Sequence, residues 1–199
     1  MNVENVKDKT PRGYLSWSQL SLWEQDSELY RRIYIDGLKR HEGEHLRIGK
    51  ALTQRLETGE EAEDKMIEHI AILLPKYEKK AHEIKADFYG IPVLGKLDCF
   101  NRKGLVVGEV KTGRHWSQKM VDKSGQLTFY SMLVWLKYKK LPSNIILHWA
   151  ETNYDENGDL IITGKIKTFA TKRTISDIIL LRGRIKKCWK GIIKMYGNK

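Results

Sequence analysis

Two cysteines, Cys99 and Cys188, are all that this 199-residue chain holds, and their spacing fits no metal or redox pair. That excludes a disulfide framework and points to a reducing compartment. It also excludes a four-cysteine iron–sulfur cluster within one chain. No apolar run approaches the roughly 18 residues that a membrane span needs. The opening stretch MNVENVKDKTPRG has no apolar signal core, so residues 1–13 read as a flexible lead and the expected location is soluble, intracellular and cytoplasmic. There is no P-loop, no glycine-rich dinucleotide motif and no G-x-S-x-G. Repeats, low-complexity tracts and linkers are absent, so residues 14–199 read as one domain.

What is present is charge of one sign. The chain carries 36 Lys/Arg against 25 Asp/Glu, a formal net charge of +11. Residues 1–100 hold 16 basic against 18 acidic side chains, and residues 101–199 hold 20 against 7. The positive field belongs to the second half. A basic balance of this size calls for a polyanion, most often nucleic acid. Hydrophobic residues make up 41% of the chain, enough for a core.

Ser16 or Ser18 is placed to cap a first helix with Leu20, Trp23, Tyr30, Ile33 and Tyr34 on its apolar side. Residues 45–56 show helical spacing, 57–64 form an acidic run read as a solvated helix start, and Met66–Leu74 give another helical stripe closed by Pro75. Alternation then predicts strands at 84–88, 93–100 and 105–111, an antiparallel meander. Residues 118–139 read as a helix ended by Pro142. Strands are expected at 145–149 and 160–169 around a turn at 154–159. Ile175, Ile178, Ile179, Ile185, Cys188, Trp189, Ile192 and Ile193 mark the apolar side of a last helix. The pattern is one α/β domain with a mixed sheet.

The chemistry centres on Gly108-Glu109-Val110-Lys111-Thr112-Gly113, with Asp98 eleven residues before Glu109. Glu109 and Lys111 are two apart, so on a strand they share a face while Val110 points away. Apolar flanks make these charges costly unless they serve a purpose. Carboxylates can hold a divalent ion that activates water and steadies a leaving oxygen. Hard Mg²⁺ takes one or two of them. A lysine beside them can stabilise charge developing in the transition state. The residues therefore suit metal-dependent phosphodiester cleavage.

Gly95-Lys96-Leu97-Asp98, then Glu109-Val110-Lys111-Thr112-Gly113, then Gln126-Leu127-Thr128-Phe129-Tyr130 resemble, in order and spacing, the motifs of the PD-(D/E)XK nuclease superfamily. The closest likeness is to its RecB-nuclease and Cas4-like branch, which Ser16-Trp17-Ser18-Gln19-Leu20 also resembles. The resemblance covers about residues 14–140. It implies a restriction-endonuclease-like core: a central mixed β-sheet flanked by helices, with N-terminal helices and a C-terminal amphipathic helix. It implies Asp98, Glu109 and the Val110 carbonyl as ligands of Mg²⁺ or Mn²⁺, and Lys111 as the catalytic lysine. Gln126 and Tyr130, one helical turn apart, would reach the site to contact DNA or support Lys111. The expected activity is a DNA nuclease, of exonuclease type on single strands or ends. The alternatives are a non-catalytic nucleic-acid-binding module, or a nuclease subunit that needs protein partners in a repair, replication or defence complex.

Two departures stand out. The branch's G-x-x-x-H element reads Gly49-Lys50-Ala51-Leu52-Thr53 here, with Thr53 at the histidine position and Glu57 one turn on; His45 lies four residues before Gly49. Asp26 stands near where a cluster cysteine would be, and Cys188 is alone in the tail, so no cluster is expected and the Trp189 side of the last helix is the expected brace. Arg114, His115, Trp116, Lys119, Lys172 and Arg173 are candidates for nucleic-acid contact. Arg182, Arg184, Lys186, Lys187, Lys190 and Lys194 serve equally as phosphate contacts or as a solvated basic face.

Overall fold

The computed structural model describes residues 10–39, 43–113 and 115–197; most of the lead expected at 1–13 lies outside them. Ser16 settles the first cap: its hydroxyl accepts the Gln19 N–H of α1 (Trp17–Gln25). The helix foreseen through Tyr34 is two helices. Asp26 ends α1, and its carboxylate caps α2 (Ser27–Tyr34) by accepting the Leu29 N–H at 2.8 Å. A side-chain acceptor at an N-cap satisfies an otherwise orphan donor.

Only the last residue of the acidic run starts a helix. Glu57 and Thr58 finish α3 (Glu44–Thr58), which stops at left-handed Gly59, φ 78°. Asp64 then caps α4 (Lys65–Leu73) through the Met66 and Ile67 N–H groups. Carboxylates suit a helix start and disfavour its interior here, so the run divides into an end, a loop and a cap.

Five strands form one mixed sheet in the order β1 (Lys79–Phe88), β2 (Ile91–Asn101), β3 (Val106–Gly113), β4 (Asn144–Tyr154), β5 (Leu160–Thr171). β1–β2, β2–β3 and β4–β5 are antiparallel; β3–β4 is parallel. The parallel step requires a crossover. It is made by α5 (Gln118–Asp122) and α6 (Gly125–Tyr138), two helices rather than the single one expected, with Ser124 capping the second. The last helix, α7 (Ile175–Gly197), buries Ile178, Leu181, Ile185, Cys188, Trp189 and Ile192. Ile175 and Ile179 are exposed instead, because the buried stripe drifts round a straight helix and begins at Ile178.

The main core lies between the sheet and α6, α7 and α1, with Leu97, Val107, Leu127, Leu133 and Leu147 fully buried. A second cluster joins α3 and α4 to Ala150, Ile162, Val110 and Ile166. Glycines set two close approaches. A Cβ on Gly125 would stand 2.3 Å from the Trp17 ring, and one on Gly191 2.3 Å from Trp23. The Trp17 segment is thus a structural lid on the start of α6. Among the described residues no helix is long and apolar enough to cross a membrane.

Candidate active site

The β2–β3 ladder runs Asn101–Val106, Phe100–Val107, Cys99–Gly108 and then stops. Beyond it, the Asp98 carboxylate takes the Val110 N–H at 2.9 Å. On its other edge β3 stays paired to β4 as far as Gly113, which holds it still. The N–H and C=O of one extended residue point to the same edge, so the Val110 carbonyl opens on the Asp98 side as well.

Glu109 is 1% exposed. Its Oε1 accepts from Lys111 Nζ at 2.5 Å and from Gln126 Nε2 at 2.8 Å. Its Oε2 is buried and meets no donor. Gln126 also donates to the Tyr130 hydroxyl at 3.0 Å, and that hydroxyl donates to the Lys96 carbonyl at 3.0 Å. The one-turn spacing on α6 thus aims both side chains at the sheet, with Gln126 on Glu109 and Tyr130 on the β2 backbone rather than on Lys111.

Electrostatics follow from this crowding. Burial, then the neighbouring Asp98 charge, push the Glu109 carboxyl up to about 8. Burial also raises Asp98, against the Val110 N–H and Lys111, which lower it. Burial pulls the Lys111 ammonium down, but Glu109 and Asp98 outweigh it and hold it above its ordinary value. A buried and a half-buried carboxylate with one lysine form a site short of positive charge.

These atoms fit a divalent cation. The donor-less Glu109 Oε2, the Asp98 carboxylate and the Val110 carbonyl are hard oxygen donors at one place, as Mg²⁺ or Mn²⁺ prefers. Among the described residues no group of three or more His, Cys, Asp or Glu gathers to hold a metal. The set therefore suits an ion that keeps much of its water.

The site opens into a cleft of about 570 Å³ walled by α3. Gly49 brings that helix close: a Cβ there would lie 3.2 Å from Thr112 Oγ1. Thr53 and Glu57 both line the cleft, and Glu57 pairs with Lys96 at 2.6 Å. His45 lines it as well, two turns before Thr53 on the same helix side and beside Gly113. Sequence reasoning gave His45 no role. Its signal was the four-residue step to Gly49.

No protein-family profile matches the chain, and no curated protein matches it in sequence. Solved structures do match. A candidate exonuclease from Eubacterium rectale aligns with a TM-score of 0.60 at 12% identity, over 98% of this chain and 84% of that one. A phage-related exonuclease from Haemophilus somnus 129PT aligns with a TM-score of 0.55 at 13% identity, over 88% of this chain and 82% of that one. The chain shares the fold of these two solved exonucleases.

The tertiary structure sorts the remaining candidates. His115 is exposed and meets the Trp149 ring edge-on, with centroids 4.9 Å apart. Trp116 is half-buried against the main core, because the crossover must cover that edge of the sheet. Lys119 and Lys172 are exposed. Arg114 lies outside the described residues. Arg173 corrects the surface reading. It is buried, and its guanidinium donates to Thr128, Thr171, the Lys172 carbonyl and the Val121 and Ser124 carbonyls. A fork of five donors ties α5, α6 and β5 together and leaves nothing for a phosphate. Arg184 is committed to Glu24 at 2.6 Å, whereas Lys187, Lys190 and Lys194 are exposed.

Proposed function

We propose that the protein is a divalent-metal-dependent nuclease that hydrolyses DNA phosphodiester bonds, acting on single strands or ends. One observation carries the reading. A fully buried carboxylate, Glu109, keeps one oxygen without a donor next to a second carboxylate and a lysine. Such an arrangement is costly unless a cation completes it.

Asp98, Glu109 and the Val110 carbonyl would hold Mg²⁺ or Mn²⁺, which supplies a polarised phosphoryl oxygen and an acidified water. The chain's own groups do the rest. Gln126 fixes the Glu109 carboxylate, so the open oxygen keeps its direction. Lys111, held by the same carboxylate, stands ready to donate to the phosphate as negative charge grows on it. The Tyr130 bond to Lys96 fixes β2 where it leaves β3. The α3 wall confines the strand at the site. The basic second half draws the polyanion in.

The test is incubation of the folded protein with labelled linear, circular and single-stranded DNA in Mg²⁺, Mn²⁺ or EDTA. Cleavage in metal and none in EDTA is expected, with loss in Glu109→Gln. Salt-dependent binding without cleavage in either metal would overturn the enzyme reading in favour of a binding module.

A further inference from the structure

Glu57 lines the cleft and pairs with Lys96 of β2. Glu57 comes from the last turn of α3 and Lys96 from β2, and Nζ stands 2.6 Å from Oε1. Their side chains keep 30% and 50% exposure, so the fold does not bury this pair. The Lys96 backbone, in contrast, is fixed. Its carbonyl accepts the Tyr130 hydroxyl, and Tyr130 leads through Gln126 to Glu109. Asp98 is two residues further along β2, about 7 Å at the rise of a strand. A half-exposed ammonium on an anchored backbone therefore stands beside Glu57 of the cleft wall, two residues along β2 from Asp98.

We propose that Lys96 binds the backbone phosphate adjacent to the one at Asp98 and Glu109, and that Glu57 is its counter-ion only until nucleic acid arrives. The inference rests on the nucleic-acid substrate proposed above and adds how the strand is held there. An exposed ion pair is weak, because water screens it and two long side chains must be ordered. A phosphate offers the ammonium a charge-assisted hydrogen bond. Engaging it also releases counterions condensed on the strand. The Glu57 charge offsets that of the ammonium and repels a phosphate brought to it, so Glu57 competes with the substrate through Lys96. Glu57 thereby sets a threshold: a flexible neutral ligand cannot open the pair, whereas a polyanion can.

The test is a double-mutant cycle on binding of a fluorescent single-stranded oligonucleotide in EDTA, across a salt series. Glu57→Gln is expected to tighten binding about two- to fivefold. Lys96→Met is expected to weaken it and to make log Kd against log salt shallower by about 0.7, one phosphate contact on a single strand. Lys96→Arg should keep the slope, which a merely structural role would not demand. In the Lys96→Met background the gain from Glu57→Gln should vanish. An unchanged slope in Lys96→Met, or an equal Glu57→Gln gain in both backgrounds, overturns the proposal. Metal-dependent cleavage is assayed separately. Cleavage without coupling would sink this inference and leave the nuclease standing; coupling without cleavage would do the reverse.

Discussion

The Val110 N–H donates to Asp98 Oδ2 at 2.9 Å, where the β2–β3 ladder would otherwise have continued. One carboxylate thus satisfies a backbone donor and spreads the two strands. The gap it opens is the candidate site. Across β2 from Asp98 lies Ala81, a non-glycine residue at φ 51°, which marks the same local break on the β1 side. Ladder pairs resume on both sides of that position, His82 with Leu97 and Lys80 with Cys99. The irregularity is therefore confined to Asp98 itself.

Gln126→Leu removes the neutral donor to Glu109 Oε1 and leaves Lys111 to hold that oxygen among the described residues. Metal affinity, measured by calorimetry, is expected to fall about 10- to 100-fold with the fold intact. Unchanged affinity would show that Glu109 needs no second anchor.

Gly108→Ala should destabilise the protein. The new Cβ would stand 2.7 Å from Tyr77 Cζ and 2.8 Å from Cys99 Cβ. Tyr77 cannot swing away freely, since its hydroxyl is bonded to His148 Nε2 at 2.8 Å. Overpacking of this kind costs about 1–3 kcal/mol, to be read from urea unfolding.

Arg173→Met tests the correction made to the sequence reading. It removes one donor each from the Val121 and Ser124 carbonyls and from two threonine hydroxyls, and leaves a buried gap between α5, α6 and β5. A stability loss of about 3 kcal/mol is expected, with no change in the salt slope of DNA binding. A shallower slope would put the guanidinium back on a phosphate.

Acid should loosen α3 from α4. The Arg55 guanidinium, and then the Ala62 N–H, hold the Glu68 carboxyl down to about 2 from its ordinary 4.5. A lowered carboxyl pKa contributes stability above pH 4.5 and loses it as pH falls towards about 2. The gap in Tm between wild type and Glu68→Gln should therefore be steady from pH 7 to 5 and close between about 4.5 and 2.

The residue set of the candidate site was legible in the primary structure because its spacing depends on local geometry. Glu109 and Lys111 share a face through strand alternation, and Gln126 and Tyr130 share one through the helical turn. Both periods can be read without a fold. The breaks were harder. Asp26 stops α1 and caps α2 with one side chain, and Ser124 divides the crossover in the same way. Apolar periodicity runs on through such caps, so it hides them. Arg173 was misread because basic composition does not say which guanidinium finds carbonyls inside.

By itself the sequence determined the residue types of the site, their faces on strand and helix, and the surplus of positive charge. Those follow from spacing and composition. The tertiary structure alone decided that Glu109 keeps an oxygen without a donor, that Arg173 is an internal clamp, and that Lys96 pairs with Glu57 of the cleft wall. Each of these is a contact between elements distant in the chain. Burial and pairing arise only when α3, α5 and α6 close on the sheet, and no local period records that closure.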